Sequence, residues 1–512
     1  MNAAEGTKRQ TIVVAGGGTA GWMVAAAFAR FLSKGFRIRL VESEEIGTVG
    51  VGEATIPHIR LFNQALGFDE DEFIRATQAT FKLGIEFVGW LRPGERYMHA
   101  FGDVGRESGL LPFHHSWLRA SREGVARPLG DYSLNNVAAL AGRMQRGSAR
   151  TSKMLPEMPY AFHFDAGLYA RFLRQFAERR GVERTEGRIS GVERDPDSGD
   201  VAALVLADGE RVRGNLFIDC TGFRALLIEG ALGAGYEDWS KWLPCDRAMA
   251  VPSGRAAAFT PYTRASAHGA GWQWRIPLQH RTGNGIVYSS RHLSDDEAAA
   301  RLVENLDSPP LADPRPLRFT GGMRREMWKG NVIAVGLAAG FMEPLESTSI
   351  HLIQTAISRI LKFLPGAHPA QAERDEFNRQ SRFEYERIRD FLILHYRANG
   401  RDEPFWREMR EVPMPGSLAA KFALWEGNGH IAREHDELFA EVAWLQVFVG
   451  QGVMPEGNHP VADLPTKAEL AEYFDLMAKL VRREVDQMPS HEEFVARHCA
   501  AAAGEEAIGA TA

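Results

Sequence analysis

The stretch Thr11–Trp22, TIVVAGGGTAGW, constrains this chain more than any other. A short apolar run, Thr11–Ala15, meets Gly16, Gly17 and Gly18; Gly21 follows, and apolar periodicity continues to about Leu32. Gly16, Gly18 and Gly21 fill the spacing Gly-x-Gly-x-x-Gly between a predicted strand and a predicted helix, which is the dinucleotide-binding turn. Gly16 permits the tight turn, Gly18 lets the backbone approach a pyrophosphate, and Gly21 lets the helix pack close. Thr19 and Ala20 then stand at the helix start, where free N–H groups face phosphates. A second predicted strand, Arg37–Val41, ends at Glu42, about 20 residues past the third glycine, where an acid hydrogen-bonds ribose hydroxyls. The plainer alternative is a Gly-rich turn with a solvated Glu at a strand end. Motif, context and acid together favour the dinucleotide.

At 512 residues the chain outgrows one simple core and suits two or three subdomains. Its net charge of −6 gives no electrostatic case for nucleic acid or an anionic membrane. The three cysteines, Cys220, Cys245 and Cys499, show neither metal spacing nor a disulfide framework. No metal is expected, and a reducing, cytoplasmic compartment is. Lys8 and Arg9 before an apolar run imitate a secretory signal, but the glycines interrupt its would-be core. No other segment is long and apolar enough to span a bilayer.

Along the chain, Gly47–Pro57, GTVGVGEATIP, reads as an extended strap carrying Gly50 and Ala54 past something flat. Phe81–Phe87 alternates, with Phe81, Leu83, Ile85 and Phe87 on one face, so periodicity alone sends Lys82 to solvent. His99 and Phe101 share one side of an extended segment. Residues 103–160 look like a long insertion with short helices. Ala166–Arg179 is an amphipathic helix, followed by a β-meander and Leu216–Asp219 leading into Cys220-Thr221-Gly222. Trp272, Trp274 and Ile276 alternate along a predicted strand; Thr282–Gly285 reads as the turn of that hairpin, and two indoles there make a rigid wall or ordinary sheet core. Asn331–Ala339 is a late strand–Gly–helix step that includes Leu337. Glu346-Ser347-Thr348-Ser349 stands at the N-terminus of a helix whose apolar stripe begins at Ile350. Its unpaired N–H groups suit an anion, or Ser347 or Thr348 merely caps the helix. From about Ala370 the chain is mainly helical.

These residues together resemble the flavin-dependent halogenases of the tryptophan halogenase family. GGGTAGW at Gly16–Trp22, Trp-x-Trp-x-Ile-Pro at Trp272–Pro277 and EPLESTSI at Glu343–Ile350 carry the resemblance, joined by TFKLGIEF around Lys82. The resemblance implies FAD, supplied reduced by a separate NAD(P)H-dependent flavin reductase, with O2 and a halide, chloride or bromide. FAD contacts fall at Gly16, Gly18, Thr19, Ala20, Gly21, Glu42, Gly50, Ala54, Leu337 and Ile350. The halide sits at the N–H groups of Thr348 and Ser349. Hypohalous acid passes through an internal tunnel to Lys82, the essential lysine, beside Glu346, the essential glutamate. Trp272 and Trp274 bias the flavin against monooxygenation, while His99, Phe101 and Trp444 face a small aromatic substrate. A homodimer is an expected assembly. Tryptophan-specific members usually carry Gly where this chain has Ser349, from which a bromide preference is expected. Ala443–Asn458 lacks their Tyr pair, so an indole-like or phenolic arene is expected rather than free tryptophan.

The implied fold is α/β: a two-dinucleotide-binding-type FAD fold with an additional β-sheet layer and a mainly helical C-terminal subdomain. The expected divisions are 1–365 for the FAD-binding part with its inserted sheet, 366–499 for the helical part and 500–512 for a flexible tail. The alternatives are a single-component-type flavin monooxygenase that hydroxylates an aromatic, and a non-enzymatic flavin-binding protein.

Overall fold

Parallel pairing around the first strand organises the molecule. In the computed structural model, which describes residues 9–45, 52–107, 109–149, 151–257, 259–364 and 369–502, Gln10–Ala15 is flanked by Phe36–Glu42 and Leu216–Asp219. Val13 pairs with Arg39 on one side and Phe217 on the other. Glu183–Glu186 and Val332–Ala334 extend this parallel sheet, and Trp328–Lys329 closes its edge antiparallel. The helix Thr19–Phe31 is buried from Gly21 to Ala29, because its alanines and glycine let it lie between the sheet and the helix Ala166–Glu178. Gly50 and the start of the strap, the 365/366 division and residues 503–512 fall outside the described residues.

A second sheet has seven strands, in the order Arg315–Arg318, Arg247–Gly254, Arg281–Tyr288, Gly271–Pro277, Thr263–His268, Gly84–Val88 and Arg96–Ala100. The residues expected as a hairpin turn, Thr282–Gly285, lie inside a strand, and the chain reverses at 278–280 instead. Gly285 is there for space: a Cβ on it would stand 2.0 Å from the Trp274 indole.

The strand expected over Phe81–Phe87 is two strands in two sheets. Thr80–Lys82 belongs to a small sheet with Gly52–Ala54 and Ala161–Asp165, whereas Gly84–Val88 belongs to the seven-stranded one. Leu83 makes the step, donating its N–H to Pro261 O at 2.7 Å and accepting from Phe101 N at 2.8 Å. Alternation reports solvent only when one face is open. Here both are covered, and Lys82 is 0% exposed rather than solvated. The C-terminal region is helical as expected, with Gln371–Arg397 and Lys467–Asp486 its longest elements.

Candidate active site

The first half of the site is a cavity of about 480 Å³ that opens on the glycine turn. Gly16 has φ +100°, and a Cβ there would stand 2.3 Å from Cys220 O. A Cβ on Gly21 would strike Gly16 O at 1.8 Å, so its close approach is to the turn itself. A Cβ on Gly18 would meet nothing within 4 Å, which leaves its backbone open to a ligand. Thr19, Ala20, Glu42, Ala54, Leu337 and Ile350 also line the cavity. The open Gly18 backbone, the helix start beside it and the apolar lining fit a dinucleotide such as FAD. Glu42 is already engaged: Oε2 accepts from Trp22 Nε1 at 3.2 Å and Oε1 from Arg184 Nε at 2.6 Å. A ribose hydroxyl would share this carboxylate. Asp219 is fully buried and knits the second nucleotide-side loop, accepting from the N–H groups of Thr221, Leu227 and Ile228.

Trp272 and Trp274 line the same cavity, with ring centroids 6.1 Å apart. At the start of the helix Ser349–Lys362, residues Ser347, Thr348, Ser349 and Ile350 also reach the cavity. The first N–H groups of a helix have no partner within it. Thr348 makes no side-chain cap bond, and the Ser347 hydroxyl is turned to a different task than capping.

That task is Lys82. Its ammonium donates to Ser347 Oγ at 2.8 Å and to Thr55 O at 3.0 Å. Ser347 holds a left-handed backbone, φ +59°, which costs a non-glycine residue energy and marks an imposed geometry. Burial pushes Lys82 down to about 7, against the opposing pull of Glu346. The Phe101 ring lies 5.3 Å from Nζ.

Glu346 is buried yet held at about 2. Burial raises it; His99 and His395 together outweigh that. His99 Nδ1 reaches its two oxygens at 2.9 and 3.0 Å. His395 Nε2 lies 2.9 Å from Oε1, off the direct hydrogen-bond line. His395 Nδ1 donates to Phe391 O at 2.9 Å, which fixes the ring with Nε2 toward Glu346. Lys82 thus bonds Ser347, the chain neighbour of Glu346, and feels the Glu346 charge electrostatically. Leu345 and Ser347, on either side of Glu346 in the chain, line the cavity, whereas Glu346 and Lys82 do not. His99 touches the carboxylate itself. Trp444 is buried edge-on to Phe391 at 4.9 Å, and Phe391 in turn lies 5.6 Å from His99.

Two residues escaped the sequence reading. Ser347 stood in the motif but passed for a cap; His395 sits in the apolar run FLILHY, where a lone polar residue was its only signal. Among the described residues no His, Cys, Asp or Glu group is arranged to hold a metal ion, and no helix is long and apolar enough to cross a membrane.

The model of the family described as tryptophan halogenase matches residues 11–467. The flavin-dependent halogenase Xcc4156 of Xanthomonas campestris is 50% identical, with a TM-score of 0.94 over 97% of this chain and 100% of its own. BrvH, a flavin-dependent halogenase from Brevundimonas sp. BAL3, is 45% identical, with a TM-score of 0.92 over 96% and 99%. The 7-chloro-L-tryptophan 6-halogenase KtzR of Kutzneria sp. (strain 744) is 33% identical over 513 residues, 95% of this chain and 99% of its own. With a family model over most of its length and relatives of this kind covered nearly whole, the chain belongs to the tryptophan halogenase family of flavin-dependent halogenases, which use reduced FAD, O2 and a halide.

Proposed function

We propose that this halogenase acts on a small electron-rich arene, indole-like or phenolic, with Lys82 and Glu346 as its catalytic pair. The observation that carries this is the Lys82 ammonium, fully buried, bonded to the one residue that separates Glu346 from the halide-side helix start. Bound reduced FAD supplies the activation of O2 that turns halide into hypohalous acid. Gly16, Gly18, Gly21 and the Thr19–Ala20 helix start hold its pyrophosphate, Glu42 its ribose, and Ala54, Leu337 and Ile350 its flanks. Thr348 and Ser349 offer backbone N–H groups to the halide.

Lys82, with a proton affinity lowered to about 7, is poised either to donate a hydrogen bond to the hypohalous acid or, as free amine, to take up the halogen. Glu346 stays ionised and accepts the proton released by the arene. His99 and His395 orient that carboxylate, Phe101 bounds the lysine's pocket, and Trp444 backs it through Phe391. Trp272 and Trp274 keep the arene away from the cofactor and exclude water. Relatives named as tryptophan halogenases include KtzR; the missing Tyr pair in Ala443–Asn458 supports a different arene here. The Ser349 side chain, where tryptophan-specific members carry Gly, supports bromide over chloride. The free thiols of Cys220, Cys245 and Cys499 support a cytoplasmic setting.

The test supplies a separate flavin reductase, NADH, FAD and equimolar chloride and bromide, against tryptophan, indole and a phenol panel. Products are read by isotope pattern. Monobrominated indole or phenol in excess over halogenated tryptophan is the expected result. Equal turnover of both halides removes the bromide reading. Products that gain oxygen without halogen return the enzyme to monooxygenation.

A further inference from the structure

Behind the cavity wall, buried aromatic rings follow one another without a break. Trp272 lies on the cavity. Its ring centroid is 6.3 Å from Trp90, Trp90 is 5.5 Å from Tyr396 and 5.3 Å from Trp406, and Tyr396 stacks on Trp406 at 5.7 Å. All four side chains are fully buried. One carboxylate touches both ends of this path. Glu343 Oε2 accepts from Trp272 Nε1 at 2.8 Å and from the Tyr396 hydroxyl, while Oε1 has no hydrogen-bond partner.

Packing does not ask for this. A buried acid is costly, and a phenylalanine opposite an apolar residue would fill the same space. Burial pushes Glu343 up to about 7, well above an ordinary carboxyl, so the site keeps a group that exchanges a proton near neutrality. The neighbouring Cys245 thiol, 3.7 Å from the Tyr396 hydroxyl, is pushed far up by burial and stays protonated, which leaves Glu343 as the base. At Trp406 the Arg401 guanidinium lies 5.4 Å from the ring and disfavours positive charge there.

We propose that Trp272, Trp90 and Tyr396 form a one-electron relay from the cofactor cavity, with Glu343 as the base that takes the phenolic proton of Tyr396. The inference rests on flavin occupying the cavity. Photoexcited oxidised flavin is the oxidant that reveals it. Trp272 gives up one electron to the flavin, Trp90 refills Trp272, and Tyr396 refills Trp90. As Tyr396 loses its electron, its O–H bond breaks and the proton passes to Glu343 Oε2. The net change is one electron moved from phenol to flavin and one proton moved from phenol to carboxylate. A one-electron oxidant arising in the cavity thus leaves its mark on a tyrosine that external reductant restores, rather than on the indole of the wall.

The experiment uses the full chain saturated with oxidised FAD, binding being followed by quenching of FAD fluorescence. Anaerobic samples are flashed with blue light and frozen for electron paramagnetic resonance, alongside transient absorption. Wild type should give a tyrosyl radical. Tyr396→Phe should replace it with a tryptophan radical, and Trp90→Phe should lower its yield several-fold while halogenation in the dark stays unchanged. Glu343→Gln should lower the tyrosyl yield and leave a longer-lived tryptophan radical. Trp406→Phe, a packing change of the same size, should keep the tyrosyl signal. The same radical in the same yield in wild type, Trp90→Phe and Tyr396→Phe overturns the relay, provided FAD is bound. Wild type that quenches no FAD fluorescence overturns the cavity's occupancy first, and the relay with it.

Discussion

Glu343 and Glu346 lie three positions apart in one motif, both buried, and their surroundings drive them in opposite directions. Around Glu343 the donors are neutral, an indole, a phenol and a thiol, and burial wins: the carboxyl rises to about 7. Around Glu346 the neighbours are two imidazoles able to carry charge, and they win: the carboxyl falls to about 2. The two sites differ in the chemistry of their partners: uncharged donors at one, imidazoles whose electrostatic pull lowers the carboxyl at the other. The motif thereby serves two faces at once, an aromatic side that tolerates a protonated acid and a histidine side that requires an ionised one.

The largest effect expected on the histidine side is that of Lys82→Ala. Halogenation should fall by roughly 10²–10⁴-fold with FAD binding retained, as read by product mass spectrometry and FAD titration. Wild-type kcat/KM should rise as pH passes about 7 if the free amine carries the halogen. Glu346→Gln comes next, with a loss of about 10²-fold in kcat, because an amide neither takes the arene proton nor pairs with His99 and His395. Glu343→Gln, in the same assay, should change kcat far less; an equal loss would erase the distinction between the two sides.

Stability against pH separates them by sign. Glu346 lies below its ordinary 4.5 in the fold, so its ionisation stabilises above 4.5, and that stabilisation drains as pH falls toward about 2. Glu343 lies above 4.5, so the unfolded chain ionises first and stability drops as pH rises from 4.5 to about 7, then levels. Urea unfolding across this range should show Glu346→Gln losing the acid-side slope and Glu343→Gln losing the neutral-side slope. At the pivot between the sides, Ser347→Gly relieves the left-handed backbone and Ser347→Ala keeps it, while both remove the hydroxyl. The glycine variant should be the more stable by about 1 kcal/mol at similar activity. Trp444→Phe should have the smallest effect, with kcat and KM for the arene close to wild type, since Phe391 stands between Trp444 and His99.

The nucleotide half was legible because it is local: one strand, one turn and one helix start contain Gly16, Gly18 and Gly21, and sterics dictate the first and the last. The lysine half was not. Lys82, Thr55, Ser347, His99 and His395 come from five separate stretches, and no periodicity within one stretch records what another places against it. Alternation misplaced Lys82 because it assumes a single sheet with one open face. Gly283 and Gly285 mimicked a turn because a sequence does not show that glycine is making room for Gly52 and for Trp274. The family resemblance supplied Lys82 and Glu346 as a pair, but it was silent on the serine that joins them.

The step at Leu83 has one more implication. Lys82 ends a strand of the small sheet, and two residues later Gly84 begins a strand of the large one. The Lys82 nitrogen is therefore anchored at the seam where the small sheet hands the chain to the large one. Sliding of one sheet against the other should shift that nitrogen relative to Ser347, which belongs to neither. Substitutions along the seam should thus register as altered reactivity in a protein whose melting temperature has scarcely moved.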